Sequence, residues 1–241
     1  MTDAHAAARG VGVVVVAAGS GSRLGAAVPK AFVPLAGRPL LAWALDTVAG
    51  VPGVVSVVVV APAALADPSG PQWSGVTLPV GARVVAGGSE RTDSVAAGLA
   101  ALDPACHVVL VHDAARCLTP VGVFERVVAG VRAGYAGVVP GVPVVDTVKA
   151  VDERGVVTGT PQRSALRAVQ TPQGFRRDVL EAAHAGGSGA TDDAALVEAL
   201  GHEVLVVDGD ARAFKVTTVD DLAHAERLLA ADPGRSPAGR P

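Results

Sequence analysis

Positive charge is scarce in this chain, and lysine is scarcer. The 241 residues hold 20 Lys plus Arg against 23 Asp plus Glu, a formal net charge of −3, and only Lys30, Lys149 and Lys215 are lysine. Binding to nucleic acid or to an anionic membrane needs a broad basic surface, so both are excluded as general functions and phosphate recognition must be local. Two cysteines, Cys106 and Cys117, are too few for a disulfide framework and have no metal-type spacing, which leaves two thiols in a reducing, cytoplasmic setting. The run Val54 to Ala66 is broken by Ser56 and Pro62 and falls short of the ~18 residues of a membrane helix. The segment ARGVGVVVVAAGSGS has the apolar core of a signal peptide, but Asp3 offsets Arg9 ahead of it, so it reads as a first buried strand. Aromatics make up only 3%, so the core must be built mostly from Val, Ala and Leu.

What the chain has in quantity is valine in runs. They recur at Val11–Ala17, Val54–Val60, Val84–Ala86, His107–Val111, Gly137–Val139 and Val204–Val207, apolar throughout, as strands covered on both faces are. Helical patterns fall between and after them: Pro39–Ala49, Glu90–Leu102 behind a Ser89 cap, Pro120–Ala133, Arg176–His184, Asp192–Leu200 behind Thr191, and Val219–Ala230 behind Thr218. The alternation predicts an α/β fold: a three-layer, mostly parallel Rossmann-like sheet. Residues 62–80 read as a surface loop with one helical turn. The pair PVVDTVKAV and GVVTGT, separated by DERG, predicts a protruding β-hairpin arm at about 143–165. The expected organisation is a flexible N-terminus over 1–10, a single domain over 11–231 and a disordered tail over 232–241.

The first strand runs into AAGSGSRLGAAVPK. A dinucleotide fingerprint requires a sixth-position glycine, where this chain has Leu24, and an ATPase loop requires Gly before its lysine, where Lys30 follows Pro29. What remains is a turn of small residues whose backbone amides can approach a nucleotide, followed by two cations, Arg23 and Lys30. The plainer reading is a tight turn with two surface charges. In a chain this poor in lysine, a retained Lys favours a compact ammonium over a planar fork.

AAGSGSRLGAAVPKAF resembles the signature of nucleotidyltransferases with a glycosyltransferase-A-like fold. With GGSERTDSVAAGL, VHDAAR, VVDTVK, VQTPQGF and FKVTTVDDL, the chain is similar to the 2-C-methyl-D-erythritol 4-phosphate cytidylyltransferases of the non-mevalonate isoprenoid pathway over about Val11 to Leu229. The resemblance implies transfer of CMP from CTP to methylerythritol phosphate with release of pyrophosphate and a requirement for Mg²⁺. It assigns the catalytic cations to Arg23, Lys30, Arg163 and Lys215. Nucleotide contacts fall to Ala17, Ala18, Gly19, Gly88, Ser89, Ser94, Asp113 and Lys215, with Ser89 able to serve as helix cap as well. Asp113 lies near the substrate hydroxyls and the metal, which is held mainly through the CTP phosphates. Methylerythritol phosphate is assigned to Asp113, Arg116, Thr147, Arg163 and Thr171, and the arm makes a homodimer in which Thr147 and Arg163 complete a partner's site. His112 receives no catalytic duty, because the attacking phosphate is already ionised. Where the family often has an aromatic after the arm arginine, this chain has Leu166 and Arg167.

Two other readings stay open on sequence. A ribitol-5-phosphate cytidylyltransferase, or another sugar-phosphate nucleotidyltransferase, would share the nucleotide motifs. A non-catalytic nucleotide-binding regulator would be expected to lack some cations, yet all three nucleotide-side ones are present.

Overall fold

The computed structural model describes residues 10–19, 24, 28–186 and 190–232. Its strands are β1 (Gly10–Val16), β2 (Pro34–Leu35), β3 (Arg38–Pro39), β4 (Val54–Ala61), β5 (Arg83–Ala86), β6 (Cys106–Asp113), β7 (Gly137–Pro143), β8 (Ala150–Val151), β9 (Val157–Gly159), β10 (Arg167–Val169), β11 (Gln173–Arg176) and β12 (Val204–Asp208). Its helices are α1 (Leu40–Ala49), α2 (Arg91–Ala101), α3 (Val121–Arg132), α4 (Arg177–Gly186), α5 (Asp193–Ala199) and α6 (Val219–Ala230). The expected N-terminal segment before Gly10 and the tail beyond Asp232 lie outside the described residues.

One eight-stranded sheet runs β10-β7-β11-β6-β1-β4-β5, with β12 on β7. The pairs β6-β1, β1-β4, β4-β5 and β7-β12 are parallel. The valine runs explain the layering, because successive side chains of a strand point to opposite faces. Val11, Val13 and Val15 of β1 join one core with Leu41 and Leu45 of α1 and Phe124 and Val127 of α3. Val14 joins the other with Val95 and Leu99 of α2 and Leu180 of α4. A strand buried on both faces cannot alternate with polar residues, so it reads as a continuous apolar run. The chain contains no isoleucine, so valine alone supplies the apolar β-branched packing. Gly98 sets how closely α2 approaches the sheet: an added Cβ there would overlap Val14 and stand 2.9 Å from Val60 Cγ2.

The structure amends several local expectations. β11 is antiparallel to both β6 and β7, and β10 is antiparallel to β7, so the sheet is mixed around a parallel core. QGFR and RAV were too short and too mixed in polarity to show the apolar signature of the central strands. The cap of α2 is Glu90, not Ser89, with the Glu90 N–H donating to Asp93 Oδ2 at 3.1 Å. Likewise Asp192, not Thr191, caps α5, accepting from Ala195 N at 3.0 Å. The loop over 62–80 holds two 3-10 turns, Ala63–Leu65 and Pro71–Trp73, and Trp73 is buried edge-on against Phe32 at 5.3 Å between centroids. β8 and β9 form the hairpin of the arm. Its DERG turn is tied by Asp152 Oδ1, which accepts from Arg154 N and Val156 N, with Gly155 at φ +79°.

Candidate active site

The carboxyl ends of β1, β5 and β6 open onto one cleft of about 410 Å³. Parallel strands gather ligands at this end because their loops splay there and leave backbone amides free. β1 delivers Ala17, Ala18 and Gly19. Ala17 N donates to Val60 O at 2.8 Å, and among the described residues nothing lies within 4 Å of where a Gly19 Cβ would project. The turn after β5 delivers Gly88 and Ser89, and α2 delivers Ser94. The two loops touch at Gly87, where a Cβ would stand 2.7 Å from both Ala18 Cβ and Ser94 Oγ. Ser89 Oγ donates to Asp93 Oδ2 at 3.0 Å and Ser94 Oγ to Glu90 O at 3.1 Å, so both hydroxyls are oriented by α2. Lys30 lines the same cleft from a 3-10 turn anchored by buried Ala31 and Phe32. Arg23 lies outside the described residues.

Asp113 ends β6 and is the acidic centre of the cleft. Lys215 Nζ donates to its Oδ2 at 2.7 Å, and Arg91 Nη2 stands 3.8 Å from its Oδ1. Burial alone would raise this carboxyl, but the Lys215 ammonium and the Arg91 guanidinium hold it below the ordinary range. Lys215 is brought there by Val216, whose N–H donates to Ala115 O at 2.9 Å. A family model for 2-C-methyl-D-erythritol 4-phosphate cytidylyltransferase matches residues 11–231 of this chain. The chain belongs to that family.

Similarity to individual members of the cytidylyltransferase family covers nearly the whole chain. A 2-C-methyl-D-erythritol 4-phosphate cytidylyltransferase from Nocardia farcinica (strain IFM 10152) is 54% identical over 221 residues, 90% of this chain and 92% of its own. Among solved structures, a 4-diphosphocytidyl-2C-methyl-D-erythritol synthase from Anaerococcus prevotii DSM 20548 superposes with a TM-score of 0.80 at 28% identity, covering 92% of this chain and 99% of that one. A 2-C-methyl-D-erythritol 4-phosphate cytidylyltransferase from Thermus thermophilus does so with a TM-score of 0.75 at 38% identity, covering 91% and 98%.

The residues assigned to methylerythritol phosphate fall into two groups. Thr171 and Arg116 flank Asp113. Thr171 is buried, and its Oγ1 accepts from Asp113 N at 3.0 Å and lies 3.0 Å from His112 Nδ1. Arg116 donates from Nη1 to Ala213 O at 2.7 Å and from Nη2 to Val169 O at 3.3 Å, tying the segment before Lys215 to β10. Burial pushes its guanidinium down, with Asp113 opposing. Neither Thr171 nor Arg116 lines the cleft itself, and Thr147 and Arg163 lie outside the lining as well, exposed on the arm, with Arg163 Nη1 donating to Val145 O at 2.6 Å. Lys149 is tied along the arm to Thr160 Oγ1 at 2.8 Å.

Two charged residues tied to the cleft escaped the sequence reading. Arg91 lies inside the quoted GGSERTDSV stretch and lines the cleft. Its spacing gave the only signal, one residue into a helix behind the loop glycines. Asp193, its ion-pair partner at 2.7 Å, is 102 residues away and fully buried. No local pattern joins them. Among the described residues no group of three or more His, Cys, Asp and Glu could hold a metal ion, and no helix is long and apolar enough to cross a membrane.

Proposed function

We propose that this chain transfers the cytidylyl group of CTP to 2-C-methyl-D-erythritol 4-phosphate, giving 4-diphosphocytidyl-2-C-methyl-D-erythritol and pyrophosphate for isoprenoid precursor synthesis, and that the cleft around Asp113 is where it does so. The observation that carries this reading is the convergence of Lys30, Lys215 and the Ala17–Gly19 and Gly88–Ser89 loops on one cavity in a chain of this family. A phosphate oxygen of the polyol attacks the α-phosphorus, and the bond to the β-phosphate oxygen breaks with its electron pair leaving on pyrophosphate. Little proton transfer is needed, so catalysis rests on position and charge. Lys30 and Arg23 hold the triphosphate and offset the charge that builds on the leaving group. Lys215 serves the α-phosphate.

A Mg²⁺ ion fits this donor set. Mg²⁺ is commonly held by one or two carboxylates together with substrate phosphates rather than by an all-protein cage, and Asp113 is the one carboxylate that the reading places at the reacting phosphates. When bound, the ion would neutralise phosphate charge. The protein's own part is to keep Asp113 ionised and aimed, which Lys215 and Arg91 do.

The arm is read as completing the site of a second copy of this chain. A short two-stranded hairpin is marginal in water by itself. This one leaves Val145, Val151, Val156 and Val157 more than half exposed, at 76%, 55%, 53% and 54%, which favours a covered position in the assembly. Thr147 and Arg163 would then reach the partner's polyol phosphate.

A pyrophosphate-release assay with CTP and Mg²⁺, run side by side with methylerythritol phosphate and ribitol 5-phosphate, tests the assignment. Turnover with the first and little with the second is expected. The reverse preference assigns the cleft to the ribitol reaction, and no turnover with either supports a nucleotide-binding regulator.

A further inference from the structure

Behind the cleft, a line of ionised and polar side chains runs from the substrate side into the protein. Lys215 meets Asp113 at 2.7 Å, Asp113 Oδ1 faces Arg91 Nη2 at 3.8 Å, Arg91 Nη1 donates to Asp193 Oδ2 at 2.7 Å, and Asp193 Oδ1 lies 3.0 Å from His184 Nε2. Asp193 is fully buried. An isolated carboxylate there would be costly, and its neighbours must satisfy both oxygens. The backbone around it is clamped as well. Gln173 of β11 donates from Nε2 to Asp192 Oδ2 at 2.7 Å and accepts from Ala194 N at 3.3 Å. Asp193 is thus a fixed charge, while Arg91 is 29% exposed and lines the cleft.

A planar guanidinium can direct different nitrogens to two carboxylates at once, which a single ammonium does with far less angular control. Arg91 uses that geometry between a buried anchor and the acidic centre of the cleft. Without the anchor, a long side chain at the mouth of a cleft has many rotamers and loses its preferred one.

Resting on the reading of the cleft as the CTP site, we propose that Asp193 is a positioning residue: it holds Arg91, and through Arg91 it fixes the orientation and charge environment of Asp113 opposite Lys215. Asp193 itself touches no substrate. His184 serves as its second partner.

A double-mutant cycle on kcat/KM for CTP tests this, with Arg91→Ala, Asp193→Asn and the combined variant, each checked for folding by thermal melting. CTP binding is read in parallel from the rise in melting midpoint with added CTP and Mg²⁺, which needs no turnover. Acting through Arg91, Asp193→Asn should lower kcat/KM on the order of tenfold in the native background and by less than about twofold once Arg91 is alanine. Factors that simply multiply overturn the proposal while leaving the cytidylyltransferase reading intact. If Asp193→Asn does not fold, Arg91→Lys carries the test: it keeps the charge but not the fork, and a loss close to that of Arg91→Ala is expected, whereas near-native kcat/KM overturns the proposal. A native enzyme that neither turns over nor is stabilised by CTP overturns the site reading, and the proposal with it.

Discussion

Lys215 and Asp113 form an ion pair at 2.7 Å across 102 residues of sequence, at the point where β6 ends and the loops after β1 and β5 converge. The pair keeps one carboxylate ionised in a buried position. It also holds a cation at the wall of the cleft, where the proposed reaction would build charge on the transferred phosphoryl group.

Removing that cation should therefore have two effects on catalysis. Lys215→Ala is expected to lower turnover roughly 10²–10³-fold, as loss of an oxyanion donor does, and to lower the melting temperature as well, because Asp113 loses its nearest cation, while the protein stays folded at the assay temperature. With Lys215 gone, burial pushes Asp113 upward against only Arg91 and Arg116, so the acid limb of the pH-rate profile should move to higher pH. Steady-state pyrophosphate release across pH reads both. A native-like rate or an unmoved limb contradicts the assignment.

Lys30→Ala and Arg163→Ala should complement each other. Each homogeneous variant is expected to be nearly inactive. If the arm completes a partner's cleft, as proposed, a mixture allowed to exchange subunits should recover activity, because a hybrid dimer would hold one cleft with Lys30 facing one arm with Arg163. Exchange shown by mass without recovered activity means each site is built from a single chain.

His112 makes the fold acid-sensitive. It is fully buried against Phe124, its Nε2 has no hydrogen-bond partner among the described residues, and burial lowers its pKa from 6.5 to about 4. Between those values the unfolded chain binds a proton that the folded chain refuses, so stability falls as pH drops from about 6.5 toward 4. That loss amounts to about 3 kcal/mol from this group. Urea unfolding at pH 4.5 and 7, compared with His112→Gln, should show a flatter pH response in the variant; equal slopes would assign the loss to other groups.

Gly98→Ala pits helix propensity against packing. Alanine in a helix interior is favoured by about 1 kcal/mol, but its Cβ would press on Val14 and Val60, and overpacking costs about 1–3 kcal/mol. Val14 and Val60 are held in the central sheet and have little room to give. A net loss of about 1–2 kcal/mol is expected in chemical denaturation, and a more stable variant would show that the helix can shift outward.

The sequence by itself determined the layers and the cations. Strands covered on both faces had to be continuous valine runs, and all six runs are strands, although those in β5 and β12 are only partly buried, with Val206 exposed. The small-residue loop, GGSERTDSV and FKVT marked Lys30, Gly88, Ser89, Ser94 and Lys215 as nucleotide-side candidates through the family resemblance, each within a single stretch of chain, and all five line one cleft. The antiparallel β10 and β11 were not readable, since three or four residues of mixed polarity carry no period. The caps at Glu90 and Asp192 were missed by one residue because serine and threonine beside them are equally able to accept from a helix amide.

Only the tertiary structure decided who faces whom. It put Asp113 between Lys215 and Arg91, anchored Arg91 on Asp193, tied Thr171 to the backbone of Asp113, and turned Arg116 onto the carbonyls of Val169 and Ala213. A charge pair is set by Coulomb energy at a few ångströms in a medium of reduced dielectric, and that distance is unrelated to separation along the chain. Folding the sheet brings residues 102 apart to 2.7 Å. Residue types announce which groups can do the chemistry, and packing determines which of them meet.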